Sequence, residues 1–230
     1  VELHWDEWWG AAATDFNLEV WDATNTVLQA ASNQGNVGGF SIDTFFFQNP
    51  ASVAQNFNLR IRYIAGAAPT DRQLLVASYP NGNVRFTDPA TLNQPSIYGH
   101  SGAELAFSIA AVPQASVGTV ESFSSRGPKR LAFSNSGIRL EPTRVFAKPD
   151  FAAADQVATS VPGFIPFSGT SAAAPNAAAV AGLMLDAVGG PGSLTRSDLY
   201  SLLSATTTDT EDAAWNSRTG WGVINAVGAG

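Results

Sequence analysis

The residues best suited to covalent chemistry lie at positions 169–175, which read GTSAAAP. Gly169 permits a backbone turn that a side chain would obstruct, and Pro175 is tolerated only near the first turn of a helix. Ser171 would therefore begin a helix, beside unpaired backbone N–H groups at the positive end of the helix dipole. Its hydroxyl could attack a carbonyl carbon while those N–H groups stabilise the oxyanion. The alternative interpretation is that this turn only caps the helix.

Two helices are predicted in the C-terminal part of the chain. A second helix follows Thr195, because Asp198 lies at the third position of a capping box and precedes leucines at helical spacing. In the first helix, which follows Ser171, apolar residues recur every three or four positions and predict its buried face. These residues are Val180, Leu183, Met184 and Val188.

Five short segments occur in a fixed order over a little more than half of the chain. They are 106–112 (AFSIAAV), 122–128 (SFSSRGP), 148–153 (KPDFAA), 169–175 (GTSAAAP) and 220–226 (GWGVINA). Together they resemble the C-terminal portion of a subtilisin-like serine peptidase. Three positions depart from the family pattern: Asn176 replaces a non-catalytic histidine, and Ala154 with Asp155 replaces a Pro-Gly turn.

The resemblance implies roles for several residues. Ser171 would be the catalytic nucleophile, and Gly169 with Thr170 would support the oxyanion-binding turn. A substrate-side loop would contain Ser124, Ser125 and Gly127, although these three residues could equally form a rigid structural turn. The resemblance implies peptide-bond hydrolysis through an acyl-enzyme, with a protein or peptide as substrate.

Three functional groups of the family have no counterpart in this sequence. The Asp-Ser/Thr-Gly turn, the His-Gly-Thr helix start and the Asn donor of the oxyanion hole are all missing. His100 precedes an apolar run that predicts a strand, which favours a loop histidine over a base, and His4 is a weaker candidate still. We therefore expect a processed or truncated chain, inactive alone, whose Asp and His come from the N-terminal part of the same peptidase.

The resemblance and the strand patterns predict an α/β fold with an added β domain. Residues 96–230 would be the C-terminal part of a doubly wound parallel-sheet domain. Residues 1–95 would be an antiparallel β-sandwich, inserted as in some bacterial subtilisin-like peptidases. Its predicted strands are 16–22, 42–47, 58–64 and 73–77, which are short, partly alternating and separated by turn residues. Because such a truncated sheet has open edges, a homodimer or a retained N-terminal piece is expected to cover it.

Two kinds of binding site are conceivable in the N-terminal region. Asp15, Asn17 and Asp22 offer oxygen ligands for Ca²⁺, although the same residues fit a strand face and a turn. No other cofactor or metal site is expected, and Asp150 alone does not define one. An aromatic binding platform could be formed by Trp5, Trp8, Trp9 and Trp21, although such residues more often fill a core.

Composition excludes several functional classes. The 230 residues carry a net charge of −7, which disfavours binding to nucleic acid. The longest apolar run, 177–185, is too short to cross a bilayer, so no membrane partner is expected. There are no cysteines and hence no disulfides. The family resemblance implies an extracellular or cell-envelope location.

The sequence thus predicts a subtilisin-like serine endopeptidase, with two alternatives left open. One is a catalytically inert fragment whose β-sandwich binds protein or carbohydrate. The other is a different serine hydrolase such as an esterase, which is disfavoured because position 173 is Ala and a Gly-x-Ser-x-Gly elbow is lacking.

Overall fold

The computed structural model describes residues 1–68, 72–78, 86–88, 94–208 and 214–228. The helices are α1 (Thr170–Ala187) and α2 (Arg196–Thr206), with a 3₁₀ turn at Gly99–Gly102. The strands are β1 (Glu2–Trp5), β2 (Thr14–Asp22), β3 (Leu28–Ala31), β4 (Ile42–Thr44), β5 (Phe57–Gly66), β6 (Leu74–Ala77), β7 (Ile109–Pro113), β8 (Lys129–Phe133), β9 (Arg139–Phe146) and β10 (Phe151–Asp155).

The chain divides into two compact units. The first comprises Val1–Phe86 and Leu131–Arg144, and the second comprises Thr87–Arg130 and Val145–Gly230. The boundary expected between residues 95 and 96 stays a prediction.

The first unit contains two three-stranded antiparallel sheets. In one, β1 lies between β4 and β6, and in the other β2 lies between β3 and β5. The apolar side chains of β1 and β2 form one core, which includes Leu3, Trp5, Phe16 and Leu18. The strand predicted at residues 16–22 is confirmed, but it is not half-buried, because the polar Asn17 and Glu19 are buried as well as Phe16 and Leu18.

The second unit is organised around one pair of parallel strands, β7 and β10, in which Ile109 lies opposite Phe151. Helix α1 packs on this pair through alanines, with Ala173 and Ala177 against Ala111 and Ala153. A separate apolar cluster contains Val112, Val120 and Val223. Small side chains allow the helix backbone to approach the strands closely.

The predicted fold class is wrong. The structure is mostly β-strand in small sheets, most of them antiparallel, and its described residues form only two α-helices. It is therefore not a doubly wound parallel domain with an added sandwich. The reason is that the motifs come from a larger architecture, whereas here they supply one parallel pair and one helix packed on it.

The predicted buried face of α1 is only half confirmed, since Val180 and Met184 pack in one apolar cluster but the other two residues do not. Met184 is buried, but Leu183 is 65% exposed and Val188 is exposed as well. Alanines provide the buried contacts instead, namely Ala172, Ala173 and Ala177. The prediction assumed that the largest apolar residues would be buried. Where a helix lies close to a pair of strands, however, only small side chains fit between them.

Helix α2 has the predicted capping box. The Thr195 hydroxyl accepts a hydrogen bond from the Asp198 N–H, and the Asp198 carboxylate accepts one from the Thr195 N–H. The Thr195 hydroxyl also donates to the Asp198 carboxylate at 2.7 Å, and this bond, followed by the one from the Thr195 N–H, holds the pKa of Asp198 below its ordinary value. Local sequence was sufficient here because every group in the motif lies within one helical turn.

Candidate active site at the start of helix α1

Ser171 is the second residue of α1, and its side chain is exposed. Gly169 is the N-cap residue, with φ +108° and ψ 169°, a conformation that side-chain-bearing residues rarely adopt. A Cβ at this position would meet only the Ser171 nitrogen, at 3.7 Å. The glycine is therefore required by its torsion angle and not, as the sequence suggested, by obstruction.

The backbone around Ser171 leaves a donor free. The N–H groups of Ala172 and Ala173 donate to the Gly169 carbonyl, at 2.9 and 3.2 Å. Within the described part of the chain, neither the N–H nor the hydroxyl of Ser171 has a hydrogen-bond partner. A free donor beside a free hydroxyl at the positive end of a helix is the local arrangement needed for oxyanion stabilisation.

Pro175 lies in the second turn of α1 and not in its first turn, where it was expected. It has no N–H to donate to the Ser171 carbonyl four residues earlier. The first turn of the helix is therefore less tightly bound to the second than in an ordinary helix. The position of Ser171 must depend correspondingly more on contacts outside α1.

Asp155 provides one such contact, which the sequence did not reveal. Its side chain is fully buried at the end of β10, and its Oδ2 accepts the Gly169 N–H at 2.9 Å. The Asn176 amide donates to the adjacent Ala154 carbonyl at 2.8 Å. The turn that carries Ser171 is thus attached to β10 by the residues that depart from the family pattern. These departures from the family pattern were the only sequence signal that could have pointed to this contact.

The three residues of the predicted substrate-side loop differ in their surroundings. Ser125 and Thr170 line the same cavity, of about 240 Å³. Ser124 is buried, and its Oγ accepts the Ala111 N–H at 3.1 Å. Gly127 lies so close to the Lys148 carbonyl oxygen that a Cβ would come within 1.4 Å of it. Ser124 and Gly127 therefore hold the loop together, and Ser125 is the one that faces open space near Thr170.

The cavity lies next to the start of α1 and is mixed in character. Hydroxyl groups and apolar side chains alternate around it, without a charged side chain. Its lining consists of Ile97, Tyr98, Ser101, Ser108, Ile109, Ser125, Pro149 and Thr170. Such a lining suits an uncharged ligand group more than an ionised one.

Lys148 and Asp150, on either side of the cavity-lining Pro149, form a buried ion pair. Lys148 Nζ lies 2.7 Å from Asp150 Oδ2, and the same oxygen accepts the Ser108 N–H at 2.7 Å. This pairing fixes the segment before β10 to the segment before β7. Asp150 therefore has a structural role in connecting these two segments.

Neither histidine is bonded to Ser171 within the described residues. His100 lies in the 3₁₀ turn and is exposed, and its ring makes no hydrogen bond with any described residue. His4 belongs to the first unit and lies 3.0 Å from Glu2. Among the described residues, no histidine is therefore placed as a general base for the Ser171 hydroxyl.

The predicted calcium ligands in the first unit do not share one environment. Asp22 closes a turn, where its oxygens accept the Thr26 and Val27 N–H groups at 2.6 and 3.0 Å. The Thr24 hydroxyl, the largest cause, and these N–H groups lower the pKa of Asp22 far below its usual range. Asp15 is buried within β2. No group of three or more His, Cys, Asp or Glu side chains is placed to hold a metal among the described residues.

The four tryptophans have different surroundings and do not make one recognisable platform. Trp5 is buried against Phe16, with ring centroids 5.4 Å apart. Trp21 lies under the Arg60 guanidinium at 4.4 Å. Trp9 is exposed and packs at 4.8 Å on Phe40, which is exposed as well. Trp8 packs on Phe133 at 6.0 Å.

Comparison with known families identifies the family of the chain. A model of the subtilase family matches residues 22–222. The chain therefore belongs to the subtilase family, which places it among the serine peptidases. No curated protein matches the chain. Among the described residues, no helix is both long and apolar enough to cross a membrane.

Proposed function

We propose that the chain contributes the nucleophile of a subtilisin-like serine endopeptidase, and that Ser171 is that nucleophile. The observation that carries this proposal is the exposed Ser171 hydroxyl, adjacent to its own unpaired N–H at the start of α1. The hydroxyl would attack the scissile carbonyl and form an acyl-enzyme, which water would then hydrolyse. The Ser171 N–H would donate to the developing oxyanion.

The Asp and His of the triad, and the Asn donor of the oxyanion hole, would come from polypeptide outside this chain. Their motifs are missing from the sequence, and neither histidine is bonded to Ser171 within the described residues. A serine without a base is a weak nucleophile, so we expect the chain alone to be nearly inactive. An extracellular or cell-envelope location remains a prediction from the family.

The outer surface of α1 supports the idea of a partner. This surface consists of small and apolar side chains that α1 does not bury in its own unit, and such patches mark interaction sites. We infer that the N-terminal part of the same peptidase covers it, with a second copy of this chain as the alternative. The exposed residues are Ala174, Pro175, Ala178, Ala179, Gly182 and Leu183.

The nucleophile can be tested with a serine-directed fluorophosphonate, followed by peptide mapping. We expect slow labelling of the chain alone, and a rise when imidazole is added as an external base. Labelling should occur at Ser171 and be lost in Ser171→Ala. Ser168→Ala, in the exposed preceding position, is the matched control and should behave as wild type.

Two results would contradict the proposal. If imidazole produced no labelling in a folded sample, Ser171 would not be a latent nucleophile. If the chain alone were labelled rapidly, with no second peptide detected by mass spectrometry, the general base would lie within these residues. The first result overturns the role of Ser171, and the second overturns only the external origin of the base.

Asp155 would act as a positioning residue in this reaction. Its Oδ2 fixes Gly169, and a displacement of the nucleophile by about 1 Å can reduce rates by about 100-fold. We expect Asp155→Ala to lower imidazole-assisted labelling by about 10- to 100-fold. Asp155→Asn retains an acceptor for the Gly169 N–H and should recover most of the rate. Equal losses in the two variants would instead point to the charge of Asp155.

A second function is favoured by the exposed Trp9 and Phe40 pair. An exposed aromatic pair is a common contact surface for sugar rings and peptides. Under this alternative the first unit is a binding module and Ser171 is idle. A screen of glycans and peptides against the Ser171→Ala chain, with Trp9→Ala as control, tests it. Binding that disappears in Trp9→Ala would support the module independently of catalysis.

A further inference from the structure

Strand β5 lies at the outer edge of its sheet. It runs over ten residues, Phe57–Gly66, and in the described part of the chain it pairs only with β2. Edge strands expose unpaired backbone groups, which natural proteins protect with Pro, Lys or a bulge, or by keeping the strand short. β5 contains neither Pro nor Lys, and the register shift lies near its C-terminal end, opposite the step from Asp15 to Phe16. The stretch before that shift is therefore open to another strand.

The register identifies the backbone groups of β5 that point away from β2. The Leu18 N–H donates to the Ser32 hydroxyl at 2.8 Å, and the Leu18 carbonyl accepts the Ser32 N–H at 3.0 Å, so both backbone groups of Leu18 face β3. Ile61 lies opposite Leu18 and consequently forms no ladder bonds with β2. Its N–H and carbonyl, and by alternation those of Leu59 and Tyr63, face the open edge. None of these groups has a hydrogen-bond partner among the described residues.

Leu59, Ile61 and Tyr63 also form an apolar row along this edge. Each lies opposite a buried apolar residue of β2, and directly opposite residues of a strand pair project from the same face. The row therefore continues the core of the first unit, but its side chains remain 37%, 37% and 44% exposed. A strand added at this edge would cover both the free backbone groups and the apolar row.

The two arginines of β5 do not protect the edge against pairing. They alternate with the apolar row and so lie on the other face of the sheet. Arg62 Nε lies 2.9 Å from Glu19 Oε1, and the Arg60 guanidinium lies 4.4 Å from the centroid of the Trp21 ring. Both partners belong to β2, so these interactions hold the guanidinium groups toward their own sheet. The backbone of the open edge is left accessible.

We propose that β5 pairs with β5 of a second copy of this chain, antiparallel and about a two-fold axis at Ile61. Ile61 then lies opposite Ile61 of the second copy, and Leu59 lies opposite its Tyr63. In this register every outward N–H and carbonyl of the three residues gains a backbone partner. The two apolar rows lie side by side and connect the two cores through one continuous sheet.

A second copy fits this edge because the edge is complementary to itself. Outward-facing residues lie two positions before and two positions after Ile61, so a two-fold axis there matches donors with acceptors. The paired stretch is only about 17 Å long, which gives less area than the about 800 Å² per partner of a standard interface. Arg60 also faces Arg62 of the second copy, which weakens the pairing. The dimer is therefore weak and concentration-dependent, and it does not rest on the role of Ser171.

The test is sedimentation velocity of the full chain over a concentration series, in which the wild type should show a reversible monomer–dimer equilibrium. Ile61→Lys places two ammonium groups at the axis and should raise the Kd of the dimer at least about 10-fold. Ile61→Pro should do the same by removing an outward N–H, and an edge strand tolerates proline at such a position. Leu28→Lys, at an exposed residue of β3 on the opposite edge of the sheet, is the matched control and should dimerise as the wild type does.

Disulfide formation tests the register, because the chain has no cysteine of its own. A mixture of Leu59→Cys and Tyr63→Cys should form a mixed disulfide, since these paired residues would have Cα atoms about 5.5 Å apart. Leu59→Cys alone should not form one, because its two copies would lie about 13 Å apart. Equal cross-linking in the two samples would overturn the two-fold register.

Three further results would contradict the proposal. The first is a wild type that stays monomeric throughout the concentration series. The second is association that persists unchanged in folded Ile61→Lys and Ile61→Pro. The third is association that is lost in Leu183→Ser but kept in Ile61→Pro, which would place the contact on α1. Circular dichroism identifies the variants that fold, and the cross-linking experiment decides the question if both Ile61 variants unfold.

Discussion

The two units of the chain cover their apolar residues in different ways. In the first unit, two sheets face a core of large side chains, with Leu3, Trp5, Phe16 and Leu18 buried between them. In the second unit, α1 packs on two parallel strands through alanines, while Leu183 on the same helix stays exposed. The first unit thus buries large apolar side chains between two sheets, although Trp9 and Phe40 stay exposed, whereas the second unit buries small ones and leaves the larger Leu183 of α1 uncovered within the unit.

Two buried carboxylates, one from each unit, differ in how completely their oxygens are hydrogen-bonded. Glu7 in the first unit accepts hydrogen bonds from Trp5, Ala13 and Thr14, and pairs with Arg72 at 3.0 Å. Asp155 in the second unit accepts the Gly169 N–H and keeps one oxygen without a partner among the described residues. A fully bonded carboxylate stabilises a unit, whereas a partly bonded one retains capacity for a further donor.

The largest effect is expected from the core of the first unit. Leu18→Ala removes a fully buried side chain and leaves a cavity, which should lower the free energy of unfolding by about 2–5 kcal/mol. Leu28→Ala, on the exposed strand β3, is the matched control and should change it by less than about 0.5 kcal/mol. Urea unfolding followed by tryptophan fluorescence measures both. If the two variants were destabilised equally, Leu18 would not be packed in a well-formed core.

Glu7→Gln should have the next largest effect on the free energy of unfolding, and this effect should depend on pH. Burial alone would raise the pKa of Glu7, but hydrogen bonds from Thr14 and Trp5, together with the charge of Arg72, lower it. The ionised carboxylate therefore stabilises the fold above the unfolded-state pKa of about 4.3, and this contribution is lost as the pH falls through the lower folded-state value.

At neutral pH the amide of Glu7→Gln cannot accept all of these hydrogen bonds, so a loss of about 1.5–3 kcal/mol is expected. Below about pH 4 the difference in stability between the wild type and Glu7→Gln should become smaller. The exposed Glu141→Gln serves as control. Thermal melts over a pH series measure this difference in stability. If the difference stayed constant down to low pH, ionisation of Glu7 would not contribute to the stability of the fold.

Thr195→Ala should have a smaller effect, confined to the second unit. The substitution removes the hydroxyl of the capping box, which typically costs about 1 kcal/mol. Ser197→Ala, two residues on, leaves the box intact and should be neutral. Circular dichroism during thermal unfolding measures the difference. A neutral result for Thr195→Ala would mean that contacts of α2 with the β10 region, such as Leu203 against Phe151, fix the helix without the cap.

The sequence predicted those features whose causes are local. The capped start of α2 and the existence of strand β2 depend on residues a few positions apart, and both are present in the structure. The Gly169 turn was also predicted, since a glycine before a helix has few other interpretations. The subtilase family was identified correctly, because its motifs are short and occur in order.

Features that depend on distant contacts could not be predicted in this way. The buried face of α1 was only partly predicted, because which side chains are covered depends on β7 and β10 and not on the helix itself. The bond from Asp155 to Gly169 joins residues from separate elements and follows no periodicity. The fold class was misassigned because motifs identify a family without specifying how many of its strands a given chain supplies.

The smallest effect on stability is expected at the exposed surface of α1. Leu183 is 65% exposed, so Leu183→Ser should change the free energy of unfolding by no more than about 0.5 kcal/mol. If a partner or a second copy covers this surface, the same variant should reduce self-association in sedimentation velocity over a concentration series. Val161→Ser, at an exposed apolar residue outside α1, controls for a general change in hydrophobicity. Loss of stability without a change in association would show that Leu183 is packed within its own unit, and the contrast between the two units would then disappear.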